Sequence, residues 1–153
     1  MSRFLAAEAD TLALGAAFAA VIQPGLIVYL VGDLGAGKTT LARGILRALG
    51  YTGRVKSPTF TLLEIYKFSR LYLYHFDFYR FSDPQELSYT GFREYFDGQA
   101  ASLVEWPEKA TGLPAADIRI ELRVTDGGRT ADLHADTEVG RLCLEQLEAA
   151  RSP

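Results

Sequence analysis

The strongest constraint in this sequence is a glycine-bearing segment, Gly32-Asp33-Leu34-Gly35-Ala36-Gly37-Lys38-Thr39, which fits the pattern G-x-x-x-x-G-K-[ST] at every position. An apolar run over residues 26–31 precedes it, and a helical pattern over residues 38–49 follows it and stops at Gly50. A buried strand, a glycine loop and a helix in this order point backbone N–H groups and a helix dipole at phosphate oxygens. The segment therefore predicts an α/β fold with a phosphate-binding loop.

The loop also assigns roles to particular side chains. Lys38 is expected to reach the β and γ phosphates of a nucleotide as a point charge, and the Thr39 hydroxyl is expected to coordinate magnesium. Thr40 can add a hydroxyl toward the α phosphate. The predicted ligands are ATP and Mg²⁺, and the predicted nucleotide-binding residues of the loop are Leu34, Gly35, Ala36, Gly37, Lys38, Thr39 and Thr40.

The rest of the chain predicts one domain of 153 residues, a P-loop NTPase-like three-layer α/β sandwich with a small mixed sheet. Asp83-Pro84 is typical of a helix start, and Asp126-Gly127-Gly128 is typical of a hairpin turn. The expected helices cover residues 8–22, 38–49 and 137–150, and the expected strands cover residues 26–31, 59–68, 71–79, 102–105, 118–124 and 129–135.

Composition narrows the class of protein. Residues 12–31 carry no charge and could span a bilayer by length, but Pro24-Gly25 divides them into two segments too short to span alone, so no membrane role is expected. One cysteine, Cys143, cannot form an internal disulfide, which fits a cytoplasmic protein. Residues 34–80 hold eight Lys and Arg against two acids. This fits phosphates, RNA or an acidic partner on that half, and equally a solvated basic face.

Two acidic residues end strand-like runs, Asp77 after residues 71–76 and Glu105 after residues 103–104. Open α/β sheets bind ligands at the carboxyl ends of their strands, so either acid could hold magnesium or orient an attacking water. Lys38, Asp77 and Glu105 are therefore the predicted catalytic residues. By alternation His75 shares a strand face with Asp77, and it receives no role.

A second segment, Lys56-Ser57-Pro58-Thr59-Phe60-Thr61, lies between the phosphate loop and the Asp77 strand. Ser57, Thr59 and Thr61 flank a rigid proline and could meet the γ phosphate and magnesium, as a switch segment does. A plain loop entering a strand is an equally good interpretation.

Four segments together resemble the TsaE (YjeE) family of bacterial ATPases: GDLGAGKTT at 32–40, VKSPTFTLLEIY at 55–66, YHFDFYRFSDPQEL at 74–87 and LVEWPEK at 103–109. Many families share the first segment, whereas the other three in this order are far more specific, and the resemblance covers nearly the whole chain. Phe60 and Phe78 stand where Tyr and Leu are also usual.

The resemblance implies Mg-dependent ATP hydrolysis that supports threonylcarbamoyl transfer to adenosine of tRNA, the t6A modification. It implies the partner proteins TsaD and TsaB, with any contact to tRNA indirect. It also implies magnesium contacts at Thr39 and Glu105, Asp77 as the acid of a Walker B-like strand, and Trp106 beside the site. The N-terminal segment would approach the adenine, and Glu8 is the candidate there.

Other classes of nucleotide-binding protein share the loop. A small-molecule kinase normally adds a lid with clustered arginines, and no such arginine pair follows Arg80. A regulatory GTPase needs an N-K-x-D guanine reader and a D-x-x-G switch, and neither is present. A scaffold that binds nucleotide without hydrolysis stays open. Because no arginine is evident as a finger, a group worth about 10³–10⁵ in rate, slow turnover by the isolated chain is expected.

Overall fold

The computed structural model describes residues 1–151, which form a seven-stranded mixed sheet with helices packed against it. The strands are β1 (Ser2–Leu5), β2 (Ile27–Val31), β3 (Leu63–Lys67), β4 (Tyr72–Asp77), β5 (Ala101–Glu105), β6 (Ile118–Thr125) and β7 (Gly128–Ala135). The helices are α1 (Glu8–Ala19), α2 (Lys38–Ala48), α3 (Leu87–Thr90) and α4 (Glu138–Ala149). Short 3₁₀ helices lie at Pro84–Glu86, Phe92–Tyr95 and Pro107–Lys109.

The strand order places β2 at the centre of the sheet, as β1-β7-β6-β2-β5-β4-β3. The pairs β6–β2, β2–β5 and β5–β4 are parallel, while β1–β7, β7–β6 and β4–β3 are antiparallel. The carboxyl ends of β2, β4, β5 and β6 therefore meet at one edge of the sheet, which is the edge where α/β proteins bind ligands.

Two apolar layers cover the faces of the sheet. Helices α1, α2 and α4 pack on one face, and fully buried side chains such as Phe18, Leu41 and Leu103 fill that layer. On the other face, short helices and stacked aromatic rings surround Phe76, whose ring centroid lies 4.8 Å from that of Phe96. The predicted α/β sandwich with a mixed sheet is confirmed, and its third layer is aromatic rather than built from long helices.

Several elements differ from the sequence prediction. The first helix ends at Ala19 instead of residue 22, and the strand predicted over residues 71–79 covers Tyr72–Asp77. Strand β1 was not predicted, because four residues carry too little periodicity to signal a strand, and it forms by pairing with β7. The strand expected from residue 59 begins only at Leu63. Leu62 has a left-handed φ of +66°, and its N–H donates to the Pro58 carbonyl at 2.7 Å, so the chain turns before it extends.

The uncharged run over residues 12–31 is divided as its Pro-Gly pair predicts. Its first part completes α1, and Gly25 then adopts a φ of +86° in the turn before β2. Across residues 1–151, none of the helices combines the length and apolarity that crossing a membrane requires.

Helices α1 and α2 cross at backbone contact distance. A Cβ on Gly15 would lie 2.5 Å from the Leu41 carbonyl oxygen, and a Cβ on Gly44 would lie 2.5 Å from that of Leu12. Both glycines are buried in this crossing. Since α2 begins at the phosphate loop, the crossing fixes where the loop lies relative to α1.

We expect Gly44→Ala to lower the free energy of unfolding by about 1–3 kcal/mol, because the new methyl group overpacks a backbone contact. Elsewhere in a helix the same change stabilises by about 1 kcal/mol, so the sign of the effect is diagnostic. Urea denaturation would measure it, with Gln146→Ala on the exposed face of α4 as the control. A Gly44→Ala protein as stable as the control would contradict the close crossing.

Candidate functional site

Glycines shape the loop between β2 and α2. Gly32, Gly35 and Gly37 have φ values of +154°, +78° and +110°, in the region that side chains rarely adopt. A Cβ on Gly32 would also lie 2.5 Å from the Leu122 carbonyl oxygen. The loop path therefore depends on these glycines, and Gly37 leads directly into the first turn of α2.

Lys38 lies folded back within the loop. Its side chain is part of a residue only 5% exposed, and Nζ donates to the carbonyls of Gly32 and, at 3.1 Å, of Asp33. The ammonium also lies 4.2 Å from the centroid of the Trp106 ring. Burial lowers the pKa of Lys38, and nearby carboxylates, Glu105 first, oppose that shift. The site therefore holds a partly desolvated ammonium group.

A pocket of about 320 Å³ opens over the loop. Its walls bring together the loop, the segment over residues 56–61 (the hydroxyl segment), an acid, an aromatic ring and an arginine. The lining residues are Leu34, Gly35, Ala36, Gly37, Lys38, Thr39, Thr40, Ser57, Thr59, Glu105, Trp106 and Arg129. A larger cleft of about 420 Å³ borders the other flank of the loop, but it lacks the Thr39 and Thr40 hydroxyls and so suits phosphate and metal less well.

The two predicted acids are direct neighbours in the sheet. Asp77 at the end of β4 pairs in register with Glu105 at the end of β5, and both residues are 2% exposed. Glu105 lines the pocket. Its Oε2 lies 2.6 Å from Nε2 of His75, which is fully buried.

Asp77 reaches the pocket through other side chains. Its Oδ2 accepts hydrogen bonds from the hydroxyls of Ser57 at 2.9 Å and Thr59 at 3.2 Å. Its Oδ1 accepts one from the Tyr79 N–H at 2.8 Å. Asp77 is absent from the pocket wall, whereas Ser57 and Thr59 belong to it. The carboxylate therefore ties the hydroxyl segment to the end of β4.

Besides Asp77, two predicted site residues lie outside the pocket wall. Thr61 donates to Glu64 at 3.0 Å on the exposed side of the turn that precedes β3. Glu8 forms an exposed ion pair with Arg43 of α2, at 3.3 Å. Their predicted roles, in the switch and near the adenine, are not tested by these contacts.

Arg129 is a site residue that the sequence did not single out. Nη2 donates to the Gly35 carbonyl at 3.2 Å, and the side chain passes over Gly37. Within residues 1–151, its buried Nε has no hydrogen-bond partner. Arg129 is the second residue of β7, and no local pattern indicates that this hairpin reaches a loop 94 positions earlier.

The donor set can be compared with what Mg²⁺ requires. Among residues 1–151, no group of three or more His, Cys, Asp or Glu side chains could hold a metal ion by itself. Mg²⁺ in nucleotide sites usually takes one or two protein oxygens and completes its shell with phosphates and water. Thr39 and Glu105 supply such oxygens on the pocket wall, so they fit a metal bound together with a nucleotide.

Comparison with protein families gives one match that covers most of the chain. A family model described as "Threonylcarbamoyl adenosine biosynthesis protein TsaE" matches residues 5–131. A Haemophilus influenzae protein named tRNA threonylcarbamoyladenosine biosynthesis protein TsaE is 43% identical over 147 residues, which cover 92% of this chain and 93% of that protein. A protein of the same name from a Nostoc species is 38% identical over 135 residues, covering 85% and 83%.

A solved structure is similar over almost the full length. The crystal structure of YdiB from Bacillus subtilis aligns with a TM-score of 0.82 and 32% sequence identity. The alignment covers 99% of this chain and 96% of that one. The overall fold is therefore shared with a related protein of known structure.

Because Asp77 tethers the hydroxyl segment, Asp77→Ala should loosen residues 57–62. The Ser57 and Thr59 hydroxyls and the Tyr79 N–H would lose their shared acceptor. We expect the exchange protection of backbone amides in this segment to fall by roughly tenfold or more, which is the loss of about 1.4 kcal/mol of local stability. Hydrogen exchange read by mass spectrometry measures it.

The matched control is Glu64→Ala, which removes the exposed partner of Thr61 and leaves the Asp77 contacts intact. The control should keep wild-type protection over residues 57–62. If the two variants exchanged alike, the tether would be wrong.

Proposed function

The chain belongs to the TsaE family, and on this premise we propose that it serves threonylcarbamoyladenosine biosynthesis as a magnesium-dependent ATPase. The observation that supports this most is the single pocket in which the glycine loop, Thr39, Glu105 and the Ser57–Thr59 hydroxyls meet. Those groups are the parts that phosphoryl transfer needs: a phosphate cradle, a metal site and a segment that senses the γ phosphate. The sequence contains no asparagine, hence no N-K-x-D guanine reader, which favours ATP over GTP.

Lys38 is proposed as the main phosphate-binding cation. Within residues 1–151, the partners of its desolvated ammonium are the loop carbonyl oxygens of Gly32 and Asp33 and the ring of Trp106. A phosphate would add the opposite charge and offset the cost of burial, so its binding would raise the pKa of Lys38 again. Arg129 offers a second cation on the same wall.

Thr39 and Glu105 are proposed to hold the metal. Magnesium, when bound with the nucleotide, neutralises charge on the phosphoryl oxygens. Glu105 lines the pocket and so can contact the metal or an attacking water, whereas Asp77 does not line it and acts through Ser57 and Thr59. We therefore assign the direct role to Glu105 and the positioning of the segment to Asp77.

A partner is proposed to complete the site. Two large apolar side chains near the pocket face solvent: Leu34 in the loop is 67% exposed, and Phe60 in the hydroxyl segment is 81% exposed with the Arg80 guanidinium 4.9 Å from its ring centroid. Exposed apolar groups beside a polar site are typical of an interaction surface. We propose that the TsaD–TsaB pair covers this surface, excludes water and stimulates turnover, with tRNA contacted only through that pair.

Phosphate release tests the proposed activity. Lys38→Ala and Glu105→Gln should each reduce ATP turnover by more than about tenfold, since each removes a charge from the phosphate and metal site. Glu108→Gln is the matched control, because Glu108 also influences Lys38 electrostatically but does not line this pocket. Calorimetry should show weaker Mg–ATP binding by Lys38→Ala. Wild-type turnover in Glu105→Gln would remove this residue from the site.

The partner proposal has a separate test. ATP turnover should be slow for the chain alone and rise several-fold, on the order of fivefold, when TsaD and TsaB are added. Phe60→Ala should abolish most of that rise and leave basal turnover unchanged. The control Tyr72→Ala removes an exposed aromatic ring at the start of β4, at the end of the strand away from Asp77, and it should behave as wild type.

Binding to the pair should also be tighter with a non-hydrolysable ATP analogue than with ADP, because a switch requires different affinities in its two states. Equal turnover with and without the pair, together with equal affinity in both nucleotides, would leave a self-contained ATPase.

A further inference from the structure

A buried histidine contacts the proposed metal ligand. His75 of β4 and Glu105 of β5 have side chains 0% and 3% exposed, and their Nε2 and Oε2 atoms lie 2.6 Å apart. In the sheet register His75 lies opposite Leu103, so the contact runs diagonally toward the carboxyl ends of the strands. His75 does not line the pocket and therefore can act on it only through Glu105.

The contacts indicate where the imidazole proton lies. A hydrogen bond to a carboxylate oxygen requires the proton on Nε2. The other ring nitrogen, Nδ1, is buried and has no hydrogen-bond partner within residues 1–151. The geometry therefore indicates the tautomer that carries its proton on Nε2.

This hydrogen bond occupies one oxygen of Glu105. No described residue hydrogen-bonds to the other oxygen, Oε1, while the residue forms part of the pocket wall. Glu105 is also the carboxylate with the strongest electrostatic effect on Lys38. Even so, no Lys38–Glu105 ion pair within 4.0 Å occurs among residues 1–151. Glu105 is hydrogen-bonded to the imidazole of His75 instead of being paired with Lys38.

We propose that His75 is a positioning residue: it fixes the Glu105 carboxylate on the pocket wall, leaves one oxygen for magnesium and keeps the acid from pairing with Lys38. A Lys38–Glu105 pair would occupy the phosphate-binding cation and the metal ligand together. The inference rests on the proposed magnesium–ATP function. Partners that orient metal ligands in this way typically change metal affinity by about 10–100-fold when they are removed.

Two substitutions separate positioning from packing. His75→Phe keeps a flat ring in the buried space and removes the donor, whereas His75→Gln retains an amide N–H near the position of Nε2. If His75 only fills space, His75→Phe should be closer to wild type than His75→Gln. If His75 positions Glu105, His75→Gln should be the closer of the two.

The readout is metal binding rather than turnover. Trp106, the one tryptophan of the chain, adjoins Glu105 and lies over Lys38, so its fluorescence should report on the site. MgCl₂ is titrated into each protein at a fixed, saturating ADP concentration. We expect the magnesium midpoint of His75→Phe to rise by roughly tenfold or more and that of His75→Gln to stay within about threefold of wild type. His134→Gln, at an exposed position of β7, should match wild type.

A measurement on the wild-type protein covers the case in which a variant fails to fold. The chain has two histidines, so the ¹⁵N spectrum of its imidazoles can be assigned with His134→Gln. We expect His75 to show the Nε2–H form with a slowly exchanging proton. The Nδ1–H form would overturn the inference.

The outcomes also distinguish this inference from its premise. A wild-type response that needs no magnesium would overturn the proposed metal site and the inference with it. A magnesium-dependent wild type with an unchanged midpoint in His75→Phe would overturn the inference alone.

Discussion

The parallel pairing of β2 with β5 and of β5 with β4 is the constraint from which the site follows. It brings the phosphate loop, Glu105 and Asp77 to one edge of the sheet, although they lie far apart in the chain. Side chains alternate between faces, so a slip of one residue in β5 would turn Glu105 toward the aromatic layer. The chemistry of the pocket therefore depends on strand register before it depends on any contact within the pocket.

The buried charges are each stabilised separately. Lys38 donates to loop carbonyls, Asp77 accepts from two hydroxyls and an amide, and Glu105 accepts from an imidazole. Burying charges is costly unless such partners are present. Each of the three side chains is held by its own partners, and within residues 1–151 no ion pair joins Lys38 to Asp77 or Glu105. This arrangement leaves the Lys38 ammonium and the Glu105 carboxylate available to a ligand, although both residues are buried.

Local signals predicted much of this structure, and contacts between distant segments account for most of what they missed. The glycine spacing predicted the loop, and the turn residues predicted the hairpin and the cap at Asp83, because each depends on a few consecutive residues. By contrast, β1 exists only through its pairing with β7, and the contact of Arg129 with Gly35 spans 94 positions. The diagonal contact of His75 with Glu105 requires the register of two strands, which alternation along one strand does not supply.

The order of the strands has a consequence for synthesis of the protein. Strand β2, which carries the loop, gains its first neighbour only when β5 has been made and its second only with β6. Strand β1 can pair only after β7 has been made, since Ser2 pairs with Asp132. A chain growing from its N-terminus thus emerges with the nucleotide loop attached to an apolar strand that stays unpaired until β5 has been made. Such an intermediate is prone to aggregate, and shielding on or near the ribosome would protect it.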